Sequence, residues 1–158
     1  MTGPKSKKRQ KNPWSMHPKL HDDVQRLLEE DGLEWAFHDQ DNQKGCINEY
    51  STHIMGRFAC HKKECLKRGW GSKKVAILIR RYEGNRYNAV VYHQRCEKCN
   101  SLSIPKLNDS YAERVADRIK RWAGIELERP PYSKKQGLPH KSHLCEGCKA
   151  GRCELGRS

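Results

Sequence analysis

The chain has 158 residues, a net charge of +13 and an apolar fraction of 35% that includes eight cysteines. Such a composition fits one domain and excludes a large hydrophobic interior, so the fold needs staples in the form of disulfides, metal or a partner. It also excludes a membrane-spanning helix, which takes about 18 or more consecutive apolar residues; the longest apolar run, Val75-Ala76-Ile77-Leu78-Ile79, is the length of a strand.

The N-terminal stretch MTGPKSKKRQKNPW is basic and shows no apolar segment of the secretory type. An intracellular location, nuclear or cytoplasmic, is therefore expected, and there paired cysteines bind metal rather than form disulfides. Residues 1–17 read as a disordered basic tail, with Pro4, Pro13 and the run Lys5–Lys11. Residues 18–49 read as an N-terminal helix and a short strand. Leu20, Val24, Leu27 and Leu28 recur at helical spacing over Pro18–Asp31, Asp22 and Asp23 suit the positive end of the helix dipole, and Gly32 is a stop. Leu33, Trp35 and Phe37 then alternate with polar residues, and residues 39–44 form a polar loop.

Residues 50–158 carry the cysteines. A strand over 50–59, with Ile54, Gly56 and Phe58 on one face, leads into Cys60. The pattern then predicts a β-hairpin: Val75–Tyr82 and Tyr87–Gln94 flank the turn Glu83-Gly84-Asn85-Arg86. A second helix over Ser110–Ala123 is capped by Asn108 or Asp109, buries Tyr111, Val115, Ile119 and Trp122, and ends at Gly124. An irregular connector with Pro130, Pro131, Gly137 and Pro139 follows. The fold class predicted is α+β, a small zinc-ribbon-like antiparallel sheet with two zinc knuckles and two packed helices.

Cysteine spacing carries the chemistry. Two thiolates on one tight turn supply half of a tetrahedral zinc site. Cys60-x4-Cys65 and Cys96-x2-Cys99 bracket the hairpin, whose ends converge, so these four are assigned to one ion. Cys145-x2-Cys148 and Cys153 complete a second Zn²⁺ site with one imidazole. His140 and His143 compete for that place, and spacing favours His140, which leaves room for a turn. Cys46 is left over.

Several segments resemble the 3CxxC-type zinc finger family. They are Gly56-Arg57-Phe58-x-Cys60, Trp70-Gly71-Ser72-Lys73-Lys74-Val75, Tyr92-His93-Gln94-Arg95-Cys96-x-x-Cys99, Tyr111-x-Glu113-Arg114-Val115, and the ending from Pro139-His140 to Gly151-x-Cys153. The widened first pair is similar to the free-standing fungal branch. The resemblance implies a zinc-binding domain, and places His140 before the last cysteine pair as a ligand. Its relatives include zygote arrest proteins, which bind RNA through this domain, and receptor-transporting proteins, which end in a membrane anchor; these 158 residues contain no apolar run of that length, so receptor escort is the less expected role.

Catalysis is not expected. Each proposed site has four ligands and no open position, and the H-x-E and P-C-x-x-C pair of a zinc deaminase does not occur. Charge points to a polyanion. Met1–His21 carries six bases and no acids, residues 22–50 nine acids and two bases, and residues 51–158 24 bases and ten acids. A four-thiolate zinc site and a three-thiolate, one-imidazole site reduce that last balance from +14 to +11. RNA or DNA is the leading partner, RNA favoured, with Arg80, Arg81, Arg86, Tyr87 and Tyr92 as a contact surface on the hairpin. The alternative is a protein-interaction adaptor or trafficking factor docking through the Leu20/Val24/Leu27/Leu28 stripe. No small-molecule substrate is expected.

Overall fold

The computed structural model describes residues 13–40, 44–60, 62, 65, 69–127 and 141–150. The elements run β1 (Trp14–Ser15), α1 (His21–Glu29), β2 (Ala36–Phe37), β3 (Cys46–Ala59), β4 (Gly69–Tyr82), β5 (Arg86–Tyr92), β6 (Gln94–Arg95), β7 (Leu102–Ser103), β8 (Pro105–Leu107), α2 (Asp109–Trp122) and α3 (Glu146–Lys149). The architecture is α+β. Strands lie in the order β1-β5-β4-β3-β8, antiparallel throughout, with β2 adding a short parallel pairing to β5. The β4–β5 turn is made by Gly84 and Asn85, whose φ values of 80° and 54° are left-handed, the conformation that Gly and Asn tolerate best.

One face of the sheet packs on the helices. Val75, Ile77, Ile79, Tyr87, Ala89 and Val91 meet Val24 and Leu28 of α1 and Tyr111, Val115 and Ile119 of α2 in one buried cluster. The apolar stripe of α1 is thus occupied within the chain, with Leu20 and Leu27 packed at its margin. α2 is capped by the Asn108 side chain, which accepts from the Ser110 N–H, and its buried Lys120 reaches back to Asp31 beyond α1 at 2.8 Å.

The other face is covered too. Ala76, Leu78, Val90 and Tyr92 form a second buried cluster with Cys145, flanked by Trp14, Met16 and Cys148. Both faces of the Val75–Ile79 run are therefore inside. An unbroken apolar run is the sequence pattern of such a strand.

Four readings of the sequence are corrected or extended here. Residues 13–17 are not tail: Trp14 and Ser15 pair with Tyr92 and Val91, because the β5 edge offers hydrogen bonds and the lower cluster takes the indole. The strand expected over 50–59 begins at Cys46 instead, as β3, and shares its core with α1, so 18–49 does not stand apart. Leu33–Phe37 is mostly irregular, with strand pairing only at Ala36–Phe37. Lastly, β4 carries an irregularity: Ile54 pairs Val75, but Gly56 pairs Ser72. The extra residue in β4 is a bulge that shifts its alternation, placing Trp70 and Ser72 on the same face as Val75. Residues 1–12, 41–43, His140 and Cys153 lie outside the described residues.

Candidate metal centre and cationic cleft

β3 and β4 meet at Ala59 and Gly69, so the connection between them leaves and re-enters the sheet at one end. Gly69 is required there, since a Cβ on it would sit 2.4 Å from the Phe58 carbonyl oxygen. That connection carries Cys60 and Cys65. β5 returns to the same end, and the small β6–β7 hairpin then carries Cys96 and Cys99. Its knuckle is closed by Cys96 N–H donating to the Ser101 carbonyl at 3.0 Å and Asn100 N–H donating to the Cys96 carbonyl at 2.8 Å, with Asn100 at a left-handed φ of 59°.

The four sulfurs converge. Cys60 Sγ lies 3.4 Å from Cys99 Sγ, and Cys65 Sγ lies 3.7 Å from Cys96 Sγ. All four ligand atoms lie within 4.8 Å of one another. A tetrahedron of Zn–S bonds has edges of about 3.8 Å, so the donor set and its spacing fit zinc. No disulfide joins the described cysteines. The Ser101 hydroxyl sits 2.9 Å from Cys99 Sγ and 3.7 Å from Cys60 Sγ. Hydrogen bonds from that hydroxyl, and then from its backbone, hold the Cys99 thiol down at about 6, so it is a thiolate, the metal-binding form, at neutral pH. Four sulfurs would complete a tetrahedral site, with Cys96 fully buried and the other three half-buried.

The C-terminal knuckle is placed differently. Cys145 is buried in the lower cluster and makes a bridge to Gln94, while Cys148 lies half-buried beside it. His143 is exposed. Cys145 and Cys148 lie on one turn, and His140 and Cys153, expected to share an ion with them, fall outside the described residues. The two knuckles are tied reciprocally. Arg95, next to Cys96, donates through Nε to Glu146, next to Cys145, at 2.7 Å, and Lys141 pairs with Glu97. Glu146 N–H also donates to the His93 carbonyl at 3.1 Å. The sequence carries a signal for these pairs that spacing alone does not give: Cys-Glu-x-Cys occurs at both knuckles and puts an acid after the first thiol of each.

The hairpin surface proposed for a nucleic acid is largely internal. Tyr87 is fully buried, with its hydroxyl 2.8 Å from His21 Nδ1, and burial pushes its phenol well up. Tyr92 belongs to the lower cluster. Arg80 is buried and donates through Nε to Glu49 at 3.0 Å. Arg81 lies half-buried over the Trp35 ring, and the exposed Arg86 bonds the Glu83 carbonyl. Central strands covered on both faces leave no tyrosine platform for a base.

Cations instead gather beside the metal centre. A cleft of about 850 Å³ is lined by Arg57, Lys73, Lys74, Arg95, Lys106 and Lys141, with Glu97 as its single acid. Met55, Trp70, Leu107 and Leu144 supply the apolar part of the lining. The Trp70 indole stacks on Phe58 with centroids 5.0 Å apart and planes at 10°, and its N–H donates to Gln94 Oε1 at 3.1 Å. Sequence reading missed this cleft, because its cations come from four separate strands and the C-terminal segment.

Fold and site together define a zinc-binding α+β domain in which a cysteine-rich end closes an antiparallel sheet. Residues 53–151 match the family described as a zinc-binding domain of the 3CxxC zinc-ribbon type, and the chain belongs to that family. No curated protein and no solved structure is significantly similar to it. No helix among the described residues is long and apolar enough to cross a membrane.

Proposed function

We propose that this zinc-binding domain is a non-catalytic nucleic-acid-binding module, with RNA the favoured ligand. The observation that supports the reading most is the cleft, where six cationic side chains line a single concavity, two of them, Arg95 and Lys141, paired with Glu146 and Glu97. Phosphodiester binding draws its affinity from such clusters and releases counterions as it forms. Zinc here is structural: the four-sulfur cluster offers no open position for substrate or water. A second ion, held by Cys145 and Cys148 with Cys153 and His140, completes the proposed metal content.

The test is affinity for RNA across a salt series. The expected slope of log K against log salt is roughly −2 to −3, corresponding to about three or four phosphates on a single strand. Reversing two exposed cleft cations, Lys73→Glu and Lys106→Glu, should lower affinity at least about tenfold while zinc content stays unchanged. Affinity indifferent to salt and to these reversals overturns the reading. The adaptor alternative loses its proposed contact surface, because Val24 and Leu28 are buried against α2.

A further inference from the structure

We infer that the cleft takes single-stranded rather than duplex polynucleotide, with phosphates against its cationic rim and unpaired bases against the apolar part of its lining. The inference rests on the nucleic-acid reading above and narrows it to a ligand class and a site.

Cations alone would suit any polyanion, so the apolar lining decides. A duplex turns phosphate and sugar outward and hides its base faces in the stack, whereas an unpaired strand offers flat apolar rings between its charges. Met55, Trp70, Leu107 and Leu144 lie among the six cations within one concavity. Met55 is 39% exposed, although a sulfur-bearing apolar side chain gains nothing from water. The volume, about 850 Å³, falls in the range that encloses a compact organic ligand. It has room for about two nucleotides and none for a helix of paired strands.

The aromatic group in the lining is held in place before any ligand arrives. Trp70 is fixed by its stack on Phe58 and by its bond to Gln94, whose amide in turn donates to the Ser72 hydroxyl at 3.2 Å. A side chain already confined loses little entropy on contact with a base. The β4 bulge sets this stack, since its extra residue brings Trp70 opposite Phe58. Beside Trp70, Gly71 has open space where a Cβ would project, so the strand backbone itself leaves the cleft clear.

The experiment uses the full-length zinc-loaded protein and a fluorescein-labelled single-stranded RNA of about twelve nucleotides, the same strand annealed to its complement, and heparin as a polyanion without bases. The single strand is expected to bind about tenfold more tightly than the duplex. Trp70→Leu should weaken the single strand about tenfold and leave heparin within about twofold. Zinc content and the melting transition report whether that variant folds. If it does not, Met55→Gln decides, with an expected loss of about threefold confined to the single strand. Duplex bound as tightly as single strand, or unchanged single-strand affinity in a folded Trp70 or Met55 variant, overturns the inference and leaves the nucleic-acid reading standing. Failure to bind either form at about 50 mM salt overturns that reading itself.

Discussion

The two cysteine knuckles share a local pattern, Cys-Glu-x-Cys, yet different forces hold them. Cys96 and Cys99 sit on a two-residue-stranded hairpin at the end of the sheet, and three of the four sulfurs in their cluster are only half-buried. Little apolar packing surrounds that cluster, so the ion supplies what a core would otherwise supply. Cys145 instead inserts into a buried apolar cluster with Ala76, Leu78, Val90 and Tyr92, and Glu146 adds hydrogen bonds to Arg95 and the His93 backbone. Metal is the cement at one knuckle, and side-chain packing holds the other. Identical spacing thus says little about what holds each knuckle in the fold.

The sharpest way to break this comparison is to remove one thiol from each knuckle. Cys99→Ser should release one metal equivalent and lower the melting temperature by about 10–20 °C, whereas Cys148→Ser should cost about half of that. Native mass spectrometry with thermal melting measures both, and a larger effect at Cys148 would reverse the assignment of forces.

Packing beneath the C-terminal knuckle is tested by Leu78→Ala, which should destabilise by about 2–4 kcal/mol. Proteolysis should then begin in the C-terminal segment while metal at Cys60, Cys65, Cys96 and Cys99 is retained. A smaller effect is expected from His93, which precedes the Cys96 knuckle in sequence, accepts from the Glu146 N–H of the other, and is 2% exposed. Its Nε2 shares the Ser15 hydroxyl at 2.9 Å, and Ser15 in turn meets His17 Nε2 at 2.9 Å. Burial, and then the neighbouring His17, lower its pKa to about 4. The folded imidazole stays neutral where the unfolded one, titrating near 6.5, takes a proton. Its contribution is therefore complete above about pH 6.5 and declines as pH falls toward 4, by at most about 3 kcal/mol. The difference in stability between the parent chain and His93→Gln across that window isolates the term from the thiolates and carboxylates.

The reciprocal ion pairs give the smallest effects, and they are unequal. Glu146 is mostly buried and Arg95 partly so, so Glu146→Gln should cost about 1–2 kcal/mol. Glu97 and Lys141 are more exposed, and Glu97→Gln should cost no more than about 0.5 kcal/mol. Denaturant titration of the two variants checks the ranking; equal costs would mean that the knuckles dock as symmetric halves.

Much of the cysteine-rich end was legible before any coordinates. Cys60, Cys65, Cys96 and Cys99 come together as their flanking of a hairpin demands, and the hairpin, the Asn108 cap and the Tyr111/Val115/Ile119 stripe are where residue chemistry puts them. These features depend on neighbours a few residues apart, through periodicity, turn preference and ligand spacing. Whether Tyr87 and Tyr92 form a surface or pack the sheet is not decided by local pattern, since an aromatic in a strand faces water or core according to what distant segments cover it; here both are buried. Trp14 and Cys145 arrive from opposite ends of the chain to close the lower face, and no local pattern announces them.

What the sequence determined alone is the chemistry of this protein: reduced paired thiols set for zinc, an excess of positive charge, and strands and helices whose apolar faces must be buried. Tertiary structure decided where that charge is concentrated. Arg57, Lys73, Lys106 and Lys141 are remote in sequence and meet in one cleft only because the sheet register, the β4 bulge and the docked C-terminal knuckle bring them there. Local preferences act over a few residues, but a concave surface exists only once separate strands have been placed side by side.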